Sequence, residues 1–202
     1  MRYFLVILCG IIVASNACEK ASDPSRITSA GGSVTEIIYL LKAENNLIAV
    51  DVTSNYPLEA KKLPSIGYVR QLSAEGLLSL DPTIIIGEDD MGPPSVLDQI
   101  KRTQVEITII PEEHNVEGIL NKIECISSVI GIDSEAIINS TVIPKITKLN
   151  QLTQDSKKQK IIYILGMQSG SPLVAGNNTS GDGLIKISGG VNPFSTLSII
   201  HI

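Results

Sequence analysis

The sequence predicts an α/β protein with a three-layer lobe around a parallel sheet, a long interlobe helix and an incomplete second α/β lobe. Three observations lead to this fold class. Aliphatic runs alternate with amphipathic helical patterns over residues 26–131. Helical spacing then continues without a strand through residues 132–154, and only one further strand and helix follow in residues 160–202. With 43% hydrophobic residues among 202, the chain has enough apolar side chains for a core.

The first lobe is expected to begin with a strand, a glycine turn and a helix. Residues 26–30 predict the strand, and Ser33 is expected to cap the helix that runs to Leu41. Residues 47–50 predict a second strand, because they are aliphatic and lie next to polar loop residues. The polar residues 51–62 that follow predict a loop.

Two continuous apolar runs later in this lobe, residues 83–87 and 106–110, predict strands that are buried on both faces. Helical patterns cover residues 95–102 and 116–130, and Gly131 is expected to end the second of these helices. Since strands alternate with helices, a parallel sheet with helices on both faces is expected.

The rest of the chain predicts a long helix and the start of another βα unit. Residues 133–154 keep helical spacing, so Pro144 is interpreted as a tolerated kink within one helix. Residues 161–166 predict another buried strand, residues 170–183 a loop, and residues 182–187 a short helix.

Residues 1–17 predict a secretory signal peptide. Arg2 supplies a positive charge, residues 4–13 an apolar region, and residues 15–17 a small-residue cleavage site. The mature chain is therefore expected outside the cytoplasm, in the periplasm. Cys18 follows the cleavage site directly, so a lipid anchor on Cys18 is the alternative.

Composition argues against several other classes of protein. The net charge of -5 and the lack of a Lys/Arg-rich run argue against nucleic-acid binding. The three cysteines predict neither a disulfide framework nor a zinc site, and Cys125 is expected to be a small buried apolar residue. The common hydrolase, nucleotide-binding and metalloprotease motifs are missing, so an enzyme is not expected. Residues 112–114, Glu-Glu-His, are expected to form a solvated loop.

One stretch predicts a ligand site. Tyr68 and Arg70 stand just before the start of a helix, in a chain with only 3% aromatic residues. Ser73 is expected to cap that helix, with Glu75 in its first turn. Loops that are held by a regular element are a usual place for binding residues. The alternative is that Tyr68 packs at the edge of the loop and Arg70 is merely solvated.

The order of elements and three segments resemble the substrate-binding proteins of bacterial ABC importers, which carry haem, cobalamin, siderophores or metal ions. The segments are residues 26–37, 67–76 and 175–192. The second segment is similar to the version found in haem-binding members. In that branch the tyrosine is the axial ligand of ferric haem and the following arginine assists it. The resemblance therefore implies Tyr68 as the ligand of the haem iron, Arg70 as its partner, and Glu75 as a contact to the ABC transporter permease.

The resemblance implies an extracytoplasmic protein that delivers haem to an importer and has no enzymatic activity. A phenolate oxygen is a known ligand type for ferric iron. A free phenol ionises only near pH 10, so Arg70 and the iron would have to favour the phenolate. Arg70 could instead pair with a haem propionate. Binding of cobalamin or a ferric siderophore by the same fold is the main alternative, and a metal-ion receptor is a weaker one.

Members of that family continue beyond the position of Asn192 into a full second lobe, whereas this chain ends ten residues later. A C-terminally truncated second lobe is therefore expected, and with it weak, solvent-exposed haem binding or a remnant that no longer binds ligand.

Overall fold

The computed structural model describes residues 18–154, 157–197 and 200–201. The predicted signal peptide, residues 1–17, lies outside the described residues, and so does Cys9 within it. The strands are β1 (Ile27–Ala30), β2 (Leu47–Val50), β3 (Ile84–Glu88), β4 (Glu106–Ile110), β5 (Ile164–Gln168), β6 (Ser171–Val174) and β7 (Ile200–His201). The α-helices are α1 (Gly32–Leu40), α2 (Ala74–Leu78), α3 (Pro94–Ile100), α4 (Val116–Ile130), α5 (Glu135–Ile137), α6 (Ile143–Gln154) and α7 (Ser180–Ile187).

The first four strands form one parallel sheet in the order β2-β1-β3-β4. Ile27 is aligned with Leu47 on one side and with Ile84 on the other, and Ile84 is aligned with Glu106. Parallel neighbours need crossover connections, and helices in this part of the chain supply them. The parallel α/β fold expected from the sequence is confirmed.

Helices cover both faces of this sheet. Successive side chains of β3 point to opposite faces: Ile84 and Ile86 pack into a cluster with α1 and α4, whereas Ile85 packs with α2 and α3. All three isoleucines are fully buried, and each contributes about 1.5–3 kcal/mol of hydrophobic stabilisation. The three-layer arrangement therefore depends on a strand whose first three residues are all isoleucines.

Several local predictions for this lobe need correction. β4 was expected to be buried on both faces, but its residues are mostly half-buried because it is an edge strand. Ser33 does not cap α1, because α1 begins at Gly32 and has no side-chain cap. The Ser33 hydroxyl donates instead to Glu88 Oε1 at 2.6 Å. The predicted loop at residues 51–62 contains a short 3-10 helix, Leu58–Lys62. Gly131 ends α4 as expected, with a left-handed φ of 74°.

The predicted long helix is present as three consecutive helical pieces. A π-helical segment, Ile138–Val142, joins α5 to α6. Pro144 is the second residue of α6, directly after this segment. A proline has no N–H to donate to the preceding turn, and the π-helical segment changes the hydrogen-bond register next to that position. Among the described residues, no helix combines the length and apolar character needed to cross a membrane.

The later part of the chain differs from the predicted second βα unit. β5 begins at Ile164 and is exposed along its length, so the buried strand expected at residues 161–166 is wrong. β6 occupies residues that were expected to be a loop, and it pairs with β5 as an antiparallel hairpin. No described element covers either face of β5. α7 starts at Ser180, two residues earlier than predicted, and Thr179 caps it by accepting a hydrogen bond from the Asp182 amide.

Asp182 organises this later segment. Its carboxylate is only 1% exposed and accepts hydrogen bonds from the Asn192 side chain at 2.9 Å and from Lys186 Nζ at 2.6 Å. Asn192 also donates to the carbonyl of Ala175 at 3.1 Å. Burial alone would raise the pKa of Asp182, but the hydrogen bonds from Lys186, from Asn192 and from the Asn178 amide outweigh it, and the pKa lies below its ordinary value.

A disulfide joins Cys18 to Cys125, with an S–S distance of 2.02 Å. The prediction that the cysteines form no disulfide was wrong, because this bond joins residues 107 positions apart and sequence spacing alone does not show it. Cys125 is buried as expected. Nearby, Ser128 donates to the Cys18 carbonyl at 2.8 Å and the Ala21 amide donates to the Val129 carbonyl at 2.9 Å. Residues 18–21 are therefore held against the end of α4. A sulfur in this bond cannot carry a lipid at the same time.

Loss of the disulfide should lower the free energy of unfolding by about 2–4 kcal/mol, because the bond closes a long loop and restricts the unfolded chain. Cys18→Ser and Cys125→Ser should each show this loss in urea denaturation. The double variant serves as the control, because it removes the same single bond. Its free energy of unfolding should be at least as high as that of the less stable single variant. A double variant that loses the sum of the two effects would contradict the assignment.

Acidification should loosen residues 175–192 before it unfolds the parallel sheet. Because the folded pKa of Asp182 lies below its ordinary value of 3.8, this carboxylate stabilises the segment fully above that value, and the contribution is lost as pH falls through the folded pKa. Amide protection factors from hydrogen exchange should drop in this segment below about pH 4, and Asp182→Asn should show low protection already at pH 7. Asp98→Asn, on the exposed side of α3, is the matched control; equal loss of protection in both variants would contradict this role.

Candidate functional site

The loop that carries Tyr68 lies at the edge of the sheet where the parallel strands end. On one side it is bonded to β2 and the residues after it: the Ile66 amide donates to the Val50 carbonyl, and the Val52 amide donates to the Gly67 carbonyl, both at 2.9 Å. Gly67 has a φ of 87°, in the left-handed region that side chains with a Cβ avoid. The loop therefore follows β2 as an additional, irregular strand before it turns away.

On its other side the loop is bonded to the residues that follow β3. The Gly92 amide donates to the Val69 carbonyl at 3.0 Å, and the Leu72 amide donates to the Gly92 carbonyl at 2.9 Å. The Gln71 amide donates to the carbonyl of Tyr68 at 2.8 Å and closes a tight turn within the loop. Backbone bonds from two strand ends thus fix the chain on both sides of Tyr68.

Packing decides which side chains of the loop face outward. Ile66, Val69 and Leu72 are buried in the cluster formed with α2 and α3, whereas Tyr68 lies between them in sequence and is 41% exposed. Since the buried neighbours cannot leave the core without loss of hydrophobic stabilisation, Tyr68 is held with its ring at the surface. The position predicted for a ligand residue is therefore accessible to a ligand.

Arg70 is bound to the loop after β3. Its Nε and Nη2 lie 2.7 Å and 2.6 Å from Asp90 Oδ2, and its side chain is 61% exposed. The pKa of Arg70 is raised above its ordinary value, first by the hydrogen bond to Asp90 and then by charge interactions with Asp90 and Tyr68. Tyr68 and Arg70 are thus electrostatically coupled, and the remaining guanidinium N–H groups are free of partners among the described residues.

The helix after this loop begins as predicted. Ser73 caps α2 by accepting a hydrogen bond from the Gly76 amide at 3.3 Å. Glu75 is exposed in the first turn, where a negative charge interacts favourably with the helix dipole. It forms no ion pair with any residue in the described part of the chain.

A buried carboxylate holds the ends of the first two strands together. Asp51 follows β2 directly and is 1% exposed. It accepts hydrogen bonds from the Gly31 amide at 3.1 Å, from the Thr53 amide at 3.0 Å and from the Ser54 hydroxyl at 2.7 Å. The Ser54 hydroxyl also lies 2.7 Å from the Thr35 hydroxyl in α1. This network fixes the turn after β1 against the chain that leads to the Tyr68 loop.

A second charged group lies under the ends of β3 and β4. Lys122 of α4 is only 7% exposed, and its Nζ lies 3.5 Å from Glu88 Oε1 and 3.6 Å from Glu112 Oε1. Glu88 is the last residue of β3, and Glu112 follows β4. The lysine therefore lies between two carboxylates that the parallel sheet brings to the same edge, and it balances one of their two negative charges.

The residues after β4 also meet the later segment. The His114 Nδ1 lies 3.4 Å from the Ser180 hydroxyl at the start of α7. Gly183 packs so closely that an added Cβ would lie 2.2 Å from the His114 carbonyl oxygen. Residues 112–114 form a loop as expected, with Glu112 and Glu113 exposed. His114 is half-buried and contacts α7, and Glu112 also faces Lys122.

Sequence reasoning found Tyr68, Arg70 and Glu75 but missed the residues that hold them in place. Asp51 directly follows β2, and Asp90 lies two residues after the end of β3. An acidic residue just after a predicted strand was the sequence signal that could have identified both. The burial of Lys122 could not be predicted from the sequence, because a lysine within an amphipathic helix is normally solvated. Whether Tyr68, Arg70 and Glu75 have the predicted roles stays a prediction. In residues 18–154, 157–197 and 200–201, no three His, Cys, Asp or Glu side chains cluster closely enough to hold a metal ion.

A family model described as periplasmic binding protein matches residues 27–200. The periplasmic haem-binding protein HutB of Vibrio cholerae superposes with a TM-score of 0.76 at 34% identity, over 88% of this chain and 69% of that one. The periplasmic haem-binding protein RhuT from Roseiflexus sp. RS-1 gives a TM-score of 0.80 at 32% identity, over 88% and 70%.

A different ligand appears among the curated relatives. The vitamin B12-binding protein of Pectobacterium carotovorum is 30% identical over 107 residues, which are 53% of this chain and 38% of that protein. The chain thus spans well under half the length of that relative and about 70% of the two solved structures. These relatives are named as binding proteins and not as enzymes.

Proposed function

The chain belongs to the periplasmic binding protein family, and we propose that it binds ferric haem in the periplasm and presents it to an ABC importer. Tyr68 is the axial ligand of the iron in this proposal. The observation that carries it is the display of Tyr68: a 41% exposed phenol held between buried neighbours, two residues before an arginine whose side chain is also exposed.

The chemistry of this pair fits ferric haem. A phenolate oxygen ligates ferric iron in other haem proteins, and a nearby positive charge favours the ionised phenol. Arg70 is positively charged at neutral pH, and Asp90 raises its pKa further. Asp90 also holds the guanidinium in place through Nε and Nη2. The other N–H groups of Arg70 are available to the phenolate or to a haem propionate.

The named relatives support this proposal and also supply its rival. HutB and RhuT, both titled as haem-binding, are 34% and 32% identical across most of the chain. The vitamin B12-binding relative is 30% identical over about half of it. Cobalamin is therefore the second candidate ligand. The Tyr68–Arg70 pair favours haem. An exposed phenol can ligate ferric iron, and a guanidinium can pair with a haem propionate.

Glu75 is the proposed contact to the permease. It is exposed in the first turn of α2 and has no ion-pair partner in the described residues. α2 begins directly after the Tyr68 loop, so a partner that contacts Glu75 would lie close to the bound ligand. An arginine on the permease surface would pair with this carboxylate.

Titration of the purified chain with hemin should give the absorption spectrum of a tyrosinate-ligated ferric haem. Tyr68→Phe should lose this spectrum and bind hemin at least about tenfold more weakly, which corresponds to about 1.4 kcal/mol. Tyr56→Phe is the matched control, because it removes a hydroxyl from another exposed tyrosine and should leave the hemin spectrum unchanged.

A parallel titration with cyanocobalamin separates the two candidate ligands. Hemin should bind more tightly than cyanocobalamin. The Tyr68→Phe change should lower the affinity for hemin and so reduce the difference between the two affinities. Tighter binding of cyanocobalamin, or a hemin spectrum that is the same in Tyr68→Phe and in the unchanged chain, would overturn the proposal.

A further inference from the structure

A groove with a volume of about 720 Å³ lies on the side of the sheet covered by α1 and α4. Its walls are α1, α4, the chain after β2 and the first part of α6. We name it the acidic groove, after the residues that give it its charge: Glu36, Glu44, Glu59 and Lys145. The side chains that anchor the Tyr68 loop pack on the opposite side of the sheet, so the acidic groove is separate from the proposed haem site.

The charges of the acidic groove are unbalanced. Glu36, Glu44 and Glu59 face a single cationic side chain in the lining, Lys145. None of the four forms an ion pair with another residue of the described ranges 18–154, 157–197 and 200–201. One carboxylate oxygen, Glu44 Oε2, is inaccessible to solvent and has no hydrogen-bond partner there. An unsatisfied buried carboxylate oxygen is costly, and a cation in the groove would lower that cost through the charge of Glu44, whose side chain is only partly buried.

Two tyrosines stand beside these carboxylates. Tyr39 and Tyr56 both line the acidic groove, and Tyr56 is 66% exposed. Burial raises the pKa of Tyr39, and the negative charges of Glu44 and Glu59 raise it further. The negative charges of Glu44 and Glu59 therefore act on Tyr39, and the faces of aromatic rings themselves attract cations.

Apart from Thr141, the remaining lining is apolar. It includes Ile37 and Leu40 of α1, Ile119 and Ile123 of α4, and Pro57, Val142 and Ile146. The volume lies within the range of about 300–1,000 Å³ that is typical of sites for small molecules. The acidic groove thus offers an apolar surface for the hydrocarbon part of a ligand and a negative electrostatic field for a positively charged group.

We propose that the acidic groove binds a small organic cation that has an apolar body and a guanidinium or ammonium head. The apolar body packs against the aliphatic side chains of α1, α4 and α6, and the head lies between Tyr39 and Glu44. Charge complementarity selects the cation, because the net charge of the lining is negative. This site does not depend on the proposed haem function.

Calorimetric titration with 4-phenylbutylguanidinium tests the proposal, and 4-phenylbutylurea is its neutral isostere. The guanidinium should bind and the urea should not, and added salt should weaken the binding. Glu44→Gln should reduce the affinity about tenfold, because it removes a charge-assisted hydrogen bond. Lys145→Gln should increase the affinity, an effect of opposite sign that a loss of folding cannot produce.

Asp98→Asn is the matched control, since it removes one negative charge on α3, across the sheet from the acidic groove, and should leave the affinity unchanged. Equal binding of the urea, or an affinity that Glu44→Gln and Lys145→Gln leave unaltered, would overturn the proposal. Self-association of the chain that the guanidinium does not reverse would also overturn it, because a second copy would then occupy the groove. Hemin titration of Glu44→Gln should match that of the unchanged chain.

Discussion

Backbone hydrogen bonds from two strand ends hold the Tyr68 loop, and the arrangement of the proposed site depends on them. Val52 bonds to Gly67 on one side, and Gly92 bonds to Val69 and Leu72 on the other. The parallel sheet is therefore extended at its carboxyl edge by a loop that cannot rotate as a unit. Because Val69 and Leu72 are also buried, the loop has one orientation, with Tyr68 outside. A ligand that bound Tyr68 would meet a side chain that is already positioned, which reduces the entropy cost of binding.

The charged side chains at the carboxyl edge of the sheet are paired with groups from different helices, strands and turns. Asp51 pairs with no cation among the described residues but satisfies amides and a hydroxyl of the turns after β1 and β2, whereas Lys122 lies between Glu88 and Glu112. A buried network of this kind is stable only when its members are satisfied. Arg70 and Asp90 form the exposed counterpart and connect the site loop to the end of β3. The carboxyl edge of the sheet is thus fixed by buried hydrogen bonds and ion pairs, and Arg70 carries an exposed positive charge there.

The parts that the sequence predicted well are those where one local pattern decides the structure. β2 and most of β3 are aliphatic, and β1 ends at the Gly31-Gly32 turn, so these three strands were placed within one residue. The Ser73 cap was equally local. Long-range pairings could not be predicted, since neither the Cys18–Cys125 bond nor the Arg70–Asp90 pair has a spacing that identifies it. The β5–β6 hairpin was missed because a short apolar run does not reveal its partner strand.

The central claim is that Tyr68 itself ligates the iron. Resonance Raman spectra of the hemin-loaded chain, recorded with and without ring-deuterated tyrosine, test it most directly. Tyrosinate ring vibrations that shift with the label are expected, and they should disappear in Tyr68→Phe and persist in Tyr39→Phe. Their absence from the unchanged chain, or their persistence in Tyr68→Phe, would contradict it.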